Sequence, residues 1–220
     1  MEPNQTRTRI DRILQHLQMS TTSSSSSPEM SSSLITSFNA VPEPQLTTDL
    51  LHLCASSSWA KMVTQQRPYQ NIPDLVQRAT RAWYTLGHTA WQEAYAGHGS
   101  LGVKTAEQTQ AVAAATTTTL ASLQQANQVY EAKHGHKCIT FAAGKDSKRL
   151  LHEVTSRTPL SVEEEMRRCA EQTMLITALR LVRYVHEGGS QSHVLFNPML
   201  LVCSWHHRRI EMLTLFLMLP

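Results

Sequence analysis

The sequence predicts an all-α fold: a single helical domain with one short extended segment, preceded by a disordered N-terminal linker. Three observations lead there. Apolar residues recur every three to four positions over long stretches, above all Glu107–His134 and Val162–Val185. Helix-start signals stand where such stretches begin: Pro73-Asp74, Asp146, and Ser161 with Glu164 three residues on. The repeated strand–helix–strand alternation of a parallel sheet is missing.

The elements follow in order. Residues 19–33 are nearly all Ser, Thr and Met, with Pro28, too polar to order themselves by burial. They predict a disordered linker over 19–45 that sets residues 1–18 apart. Leu46–Cys54 is a short apolar helix. From Pro73-Asp74 a second helix carries Leu75, Ala79, Ala82-Trp83 and Leu86 on one stripe. Thr89–Gly97 follows, with Trp91, Ala94 and Tyr95 on one side. Trp59, Trp83 and Trp91 read as core anchors. Glu107–His134 is the longest stretch, although Thr116–Thr119 is poor helix former and needs packing to hold it. Cys138–Ala143 is the short extended segment. Asp146 caps Ser147–Ser156, with Leu150, Leu151 and Val154 inward. In Val162–Val185 the inward stripe is Met166, Cys169-Ala170, Thr173, Ile176 and Leu179. Glu163–Glu165 reads as a first turn that complements the helix dipole. Gly188-Gly189 breaks this helix, and residues 187–220 form a tail with no clear period and no assigned role. The domain is therefore placed at 46–186.

Composition excludes several classes. A net charge of +3 over 220 residues gives no dense basic stripe for nucleic acid. No apolar run approaches the roughly 18 residues of a membrane span. Cys54, Cys138, Cys169 and Cys203 form no Cys-x-x-Cys pair and read as buried reduced thiols. His134-x-His136-x-Cys138 offers three metal-type side chains without a fourth, so no metal site is assigned.

His98 is the residue that points to chemistry. A helix-like run ends at Gly97 and hands one histidine to a glycine-flanked loop; Glu107 opens the next helix-like stretch. Histidine at one helix end and a carboxylate at the next start suit proton transfer near neutral pH. Spacing alone equally fits an imidazole that meets free carbonyls at a helix C-terminus.

Residues 1–18 contain Arg9-Ile10-Asp11-Arg12-Ile13-Leu14-Gln15-His16-Leu17. This resembles the N-terminal peroxisomal targeting nonapeptide: a basic residue, an aliphatic one, five free positions, then His-Leu. On a helix Arg9, Ile13 and His16 fall on neighbouring faces, which one receptor groove could read. A mitochondrial presequence and a cytoplasmic location are the alternatives. The expected macromolecular partner is a peroxisomal import receptor, with no nucleic acid and no membrane; a homodimer is left open.

Taken in order, the core motifs resemble one family. Leu53-Cys54-Ala55-Ser56-Ser57-Ser58-Trp59-Ala60, Arg67-Pro68-Tyr69, Trp91–His98, Glu107-Gln108, Asn127-Gln-Val-Tyr130-Glu-Ala-Lys133-His-Gly135, Ile139–Gly144 and Leu179-Arg180-Leu181 are similar to the successive motifs of 2-oxo-4-hydroxy-4-carboxy-5-ureidoimidazoline (OHCU) decarboxylases. These act last in the breakdown of urate to allantoin. The resemblance implies an all-helical fold and a decarboxylation without cofactor or metal. Carbon dioxide leaves, and the carbanion-like intermediate is reprotonated on one face to give (S)-allantoin. It implies His98 as catalytic acid/base and Glu107 as the carboxylate that binds the reacting groups. Gly99, Lys104, Thr105, Ala106 and Gln108 are implied in substrate binding. So are Ile139, Thr140, Phe141, Ala142 and Ala143, through backbone groups, and Arg157 at the substrate's anionic end. The chemistry is coherent. Without a Lewis acid, negative charge must be met by fixed donors, and Arg offers a planar fork.

The chain departs from the family at several points. His98-Gly99 stands where the family has His-Pro, His134 where it has Phe, Lys145 where it has Arg, and the loop from His98 to Glu107 is short. Proline fixes the backbone and glycine frees it. These departures keep a second reading open, a catalytically impaired homologue acting as a helical interaction module. No transthyretin-like domain follows in this sequence.

Overall fold

The computed structural model describes residues 28–98, 101, 117–141 and 145–188, and among them every regular element is an α-helix. In chain order these are α1 (Pro28–Ala40), α2 (Glu43–Cys54), α3 (Ser57–Gln65), α4 (Ile72–Leu86), α5 (His88–Ala96), α6 (Thr117–His134), α7 (Ser147–Arg157) and α8 (Val162–His186). No described helix is long and apolar enough to cross a membrane.

The local signals act as expected. Asn71 accepts the Asp74 N–H at 2.8 Å at the start of α4, with Pro73 in its first turn. Asp146 accepts the Arg149 N–H at 2.7 Å and opens α7. Ser161 and Glu164 form a reciprocal capping box before α8, with bonds of 3.2 and 3.1 Å. Gly188, at φ 72°, ends α8.

The helices gather into two compact units. Of the described residues, 28–94 and 174–188 belong to the first, and 95–173 to the second. The boundary falls inside α5 and inside α8 rather than in a linker, so no shift of composition announces it.

In the first unit, α2 packs on α3 and α3 on α4. Its centre is Trp59 and Trp83, both fully buried, with Trp91 beside them. Two of these indoles donate to backbone carbonyls, Trp59 to Ala79 O at 2.9 Å and Trp91 to Trp83 O at 3.0 Å. Burial on this scale stabilises by about 1.5–3 kcal/mol per large apolar side chain. Asp49 is buried and accepts from the Tyr184 hydroxyl at 2.7 Å and from Gln45 at 2.8 Å. Ile176 and Leu179 are only half-buried, whereas Met174, Leu175, Thr177, Ala178, Leu181 and Val182 are buried, so this part of α8 hides more than the single stripe its period suggests.

The N-terminal expectation needs correction. Residues 28–40 are helical, not linker, and α2 begins at Glu43. The cause lies in Ile35 and Phe38, each 3% exposed. Phe38 meets the rings of Tyr69 and Tyr184 edge-on, at 5.9 and 6.1 Å. One apolar stripe inside a serine-rich run is enough to dock that helix.

In the second unit, α6 packs on α7. Leu101, Leu123, Tyr130, Cys138, Leu150 and Val154 form its core. The Tyr95 hydroxyl donates to Met166 O at 2.8 Å. The longest described helix is α8, with 25 residues; the expected start of the Glu107–His134 helix lies outside the described residues, and its described part begins at Thr117.

Candidate active site

His98 lies two residues beyond α5. Its N–H reaches Tyr95 O at 3.2 Å in a turn that closes the helix. The residue is half-buried, with its Nε2 shielded from solvent. Two side chains hold the backbone at His98 and at Leu101. The Lys137 ammonium donates to His98 O at 2.8 Å, and the Asn127 amide donates to Leu101 O at 2.8 Å.

Lys137 sits just after Gly135, which ends α6 at φ 73°, a conformation that favours glycine. The chain from 137 to 141 is irregular, so the expected extended segment has no strand partner among the described residues. Its polar groups are satisfied by side chains instead. Ile139 O accepts from Arg157 at 2.9 Å, and the Phe141 N–H donates to the Gln172 carbonyl oxygen at 3.0 Å. The Thr140 hydroxyl donates to Glu153 at 2.7 Å and accepts from Lys145 at 2.7 Å. Burial pulls the Lys145 ammonium below its usual value, with Glu153 opposing. Burial would raise the Glu153 carboxyl, but its ion pair with Lys145 and the Thr140 hydroxyl hold it below the usual range.

Arg157 is 1% exposed. Expected at the anionic end of a substrate, its guanidinium is engaged by protein groups. Beside Ile139 O it bonds Glu165 through Nε at 2.9 Å and again through Nη2, and it reaches Cys169 Sγ at 3.3 Å. Its position is explained by what it braces, the 137–141 segment. Glu165 stands in the first turn of α8 as expected, yet is fully buried and also accepts from the Tyr130 hydroxyl. Glu163 does stay on the surface, paired with Arg167.

Within one unit, a hydrogen bond thus joins Arg157 to the Ile139–Phe141 segment, and Lys137, two residues ahead of that segment, bonds the His98 turn. The other expected site residues, Gly99, Lys104, Thr105, Ala106, Glu107, Gln108, Ala142 and Ala143, lie outside the described residues, as do Arg9–Leu17 and residues 189–220. Reasoning on the sequence missed Lys137, Glu165 and Gln172. Lys137 alone carried a local hint, its place next to the implied segment.

His134 and His136 do not converge with Cys138 on one side of a strand. The His134 ring lies tilted against Tyr130, centroids 4.5 Å apart, and offers Nε2 to Thr158 O, while His136 packs against Tyr95 at 5.0 Å. Among the described residues no three His, Cys, Asp or Glu side chains are grouped to hold a metal ion. Burial pushes the Cys54 and Cys138 thiols up to about 12 and Cys169 to about 11, so none of the three is a thiolate at neutral pH.

Fold and site define a helical protein whose candidate acid/base residue closes a helix through its main chain, near an irregular segment braced by the buried Arg157–Glu165 pair. The family model described as OHCU decarboxylase matches residues 39–182. The uric acid degradation bifunctional protein TTL of Arabidopsis thaliana is 26% identical over 144 residues, which cover 59% of this chain and 44% of that protein. The chain thus spans less than half the length of that curated relative. The crystal structure of an OHCU decarboxylase in the presence of (S)-allantoin superposes with a TM-score of 0.59 at 27% identity, covering 62% of this chain and 96% of the other. That of an (S)-allantoin synthase gives 0.56 at 16% identity, covering 68% and 52%, a likeness of fold alone. The chain belongs to the OHCU decarboxylase family, a family of carboxy-lyases.

Proposed function

We propose that this chain decarboxylates OHCU to (S)-allantoin in urate degradation, without cofactor or metal, with His98 as the proton-transfer residue. The observation that carries the reading is the hydrogen bond from Lys137, two residues ahead of the Ile139–Phe141 segment, to the His98 carbonyl, inside the stretch that matches the family. In the reaction the bond from the ring carbon to the carboxylate breaks. Its electron pair stays on the ring carbon, delocalised into the heterocycle, as carbon dioxide leaves. The His98 imidazolium then delivers a proton to one face of that carbon. Glu107 hydrogen-bonds the reacting groups, aided by Gly99, Lys104, Thr105, Ala106 and Gln108. The segment from Ile139 to Ala143 lines the ring. Arg157 acts through that segment, because its own donors are engaged by Glu165, Ile139 and Cys169.

The test uses the purified full chain and substrate freshly generated by oxidation of urate. Ultraviolet absorbance should decay faster than the spontaneous rate, with a circular-dichroism signal for one enantiomer of allantoin. His98→Asn should lower the rate by roughly 10²–10⁴-fold with its helical spectrum intact. Exhaustive treatment with a chelator should leave the wild-type rate unchanged; a rate that falls and returns with added metal would overturn the metal-free step. Gly99 favours a second reading, a helical interaction module with impaired catalysis, which predicts no acceleration by wild type.

We also propose that Arg9–Leu17 directs the chain to peroxisomes through an import receptor. A fluorescent protein carrying residues 1–27 should collect in peroxisomes, and a cytosolic or mitochondrial signal would refute it.

A further inference from the structure

We infer that Lys137 is a positioning residue for His98, its ammonium fixing the main-chain turn that aims the imidazole. The inference rests on the reading of His98 as the proton-transfer residue. His98 lies beyond the last turn of α5, closed by an i to i−3 bond of 3.2 Å. The next residue is glycine, which imposes neither a ring nor a Cβ on the backbone. The His98 carbonyl is where such a turn would pivot, and Lys137 Nζ holds that oxygen at 2.8 Å from 39 residues away in sequence. The bond is charge-assisted, and it lies near a helix C-terminus, where a cation is favoured.

Two further contacts fix the lysine's own register. The ring of His136 packs at 5.0 Å on Tyr95, three residues before His98, and at 5.9 Å on Tyr130. Gly135 turns the chain out of α6 just before them. Three residues after His98, Asn127 holds Leu101 O in the same manner. Lys137 thus supplies through space a restraint that Gly99 does not supply through the chain.

The experiment compares wild type, Lys137→Met and Lys137→Arg as full chains, by steady-state kinetics, thermal melts and NMR of ring-labelled histidine, with the His98 signal assigned through His98→Asn. Lys137→Met keeps the aliphatic stem and removes the donor. It should lower kcat about tenfold to a hundredfold, as a misaligned acid/base does, with KM within about twofold and the melt little changed. Lys137→Arg should restore most of kcat. The His98 ring signal should shift or broaden in Lys137→Met and return in Lys137→Arg. An unchanged kcat in Lys137→Met overturns the proposal. So does a raised KM at constant kcat, which would make Lys137 a substrate-binding group. The NMR arm decides if wild type shows no decarboxylation: the reading of His98 then fails by itself, and an unchanged His98 signal in Lys137→Met overturns the positioning role independently.

Discussion

Glu165 shows how much one side chain can carry. Its carboxylate receives Arg157, Tyr130 and Cys169, and through Arg157 it holds the Ile139 carbonyl. Removing one member of a buried ion pair leaves the other charge uncompensated, at about 3–5 kcal/mol. Glu165→Gln should therefore lose stability of that order in urea unfolding at pH 7; a loss below about 1 kcal/mol would show that the pair is not load-sharing. The thiols around it make a second residue-scale prediction. Because burial keeps Cys54, Cys138 and Cys169 protonated at neutral pH, alkylation at these three, read by mass spectrometry, should require denaturant.

At the scale of elements, α1 and the end of α6 decide most. If α1 is part of the folded unit, Phe38→Ala should cost about 3–5 kcal/mol, as core aromatic truncations do. A linker helix would cost nothing measurable. Gly135→Ala isolates a backbone effect, since an added Cβ would meet nothing within 4 Å. The left-handed conformation alone should lower stability by about 1–2 kcal/mol. Capping and breaking signals made the starts of α4, α7 and α8 and the end of α8 legible in the sequence, because each acts over three or four residues. Helix α1 was hidden because its serines outnumber its apolar side chains, and only docking against Tyr69 and Tyr184 reveals what Phe38 does.

At the scale of the whole molecule, pH reads both units through two histidines. Burial lowers His134 below its ordinary 6.5, against the bond to Thr158, and burial lowers His186. Both are favoured neutral in the fold and take up protons more readily when unfolded. Their contribution is fully present above about pH 6.5 and is lost as pH falls through the lowered folded values. Melting temperature should therefore be flat from pH 7 to 8 and fall below about 6.5. His134→Phe should flatten part of that slope; an unaltered slope would remove His134 from the account. It should also lower stability at pH 8 by about 1 kcal/mol, through the lost bond to Thr158.

By itself the sequence determined the helical class, most helix limits, the tryptophan core and the family, since periodicity, caps and motif order are all written locally along the chain. It named His98 but not its support. Lys137 lies 39 residues from the carbonyl it holds, and Glu165 looks in sequence like the solvated Glu163 two positions before it. Only the tertiary structure decided that one of these glutamates is buried on an arginine, that the 137–141 segment is braced by side chains rather than a sheet, and that the unit boundary falls within helices. Those outcomes depend on which distant groups exclude water together, and no local pattern encodes that.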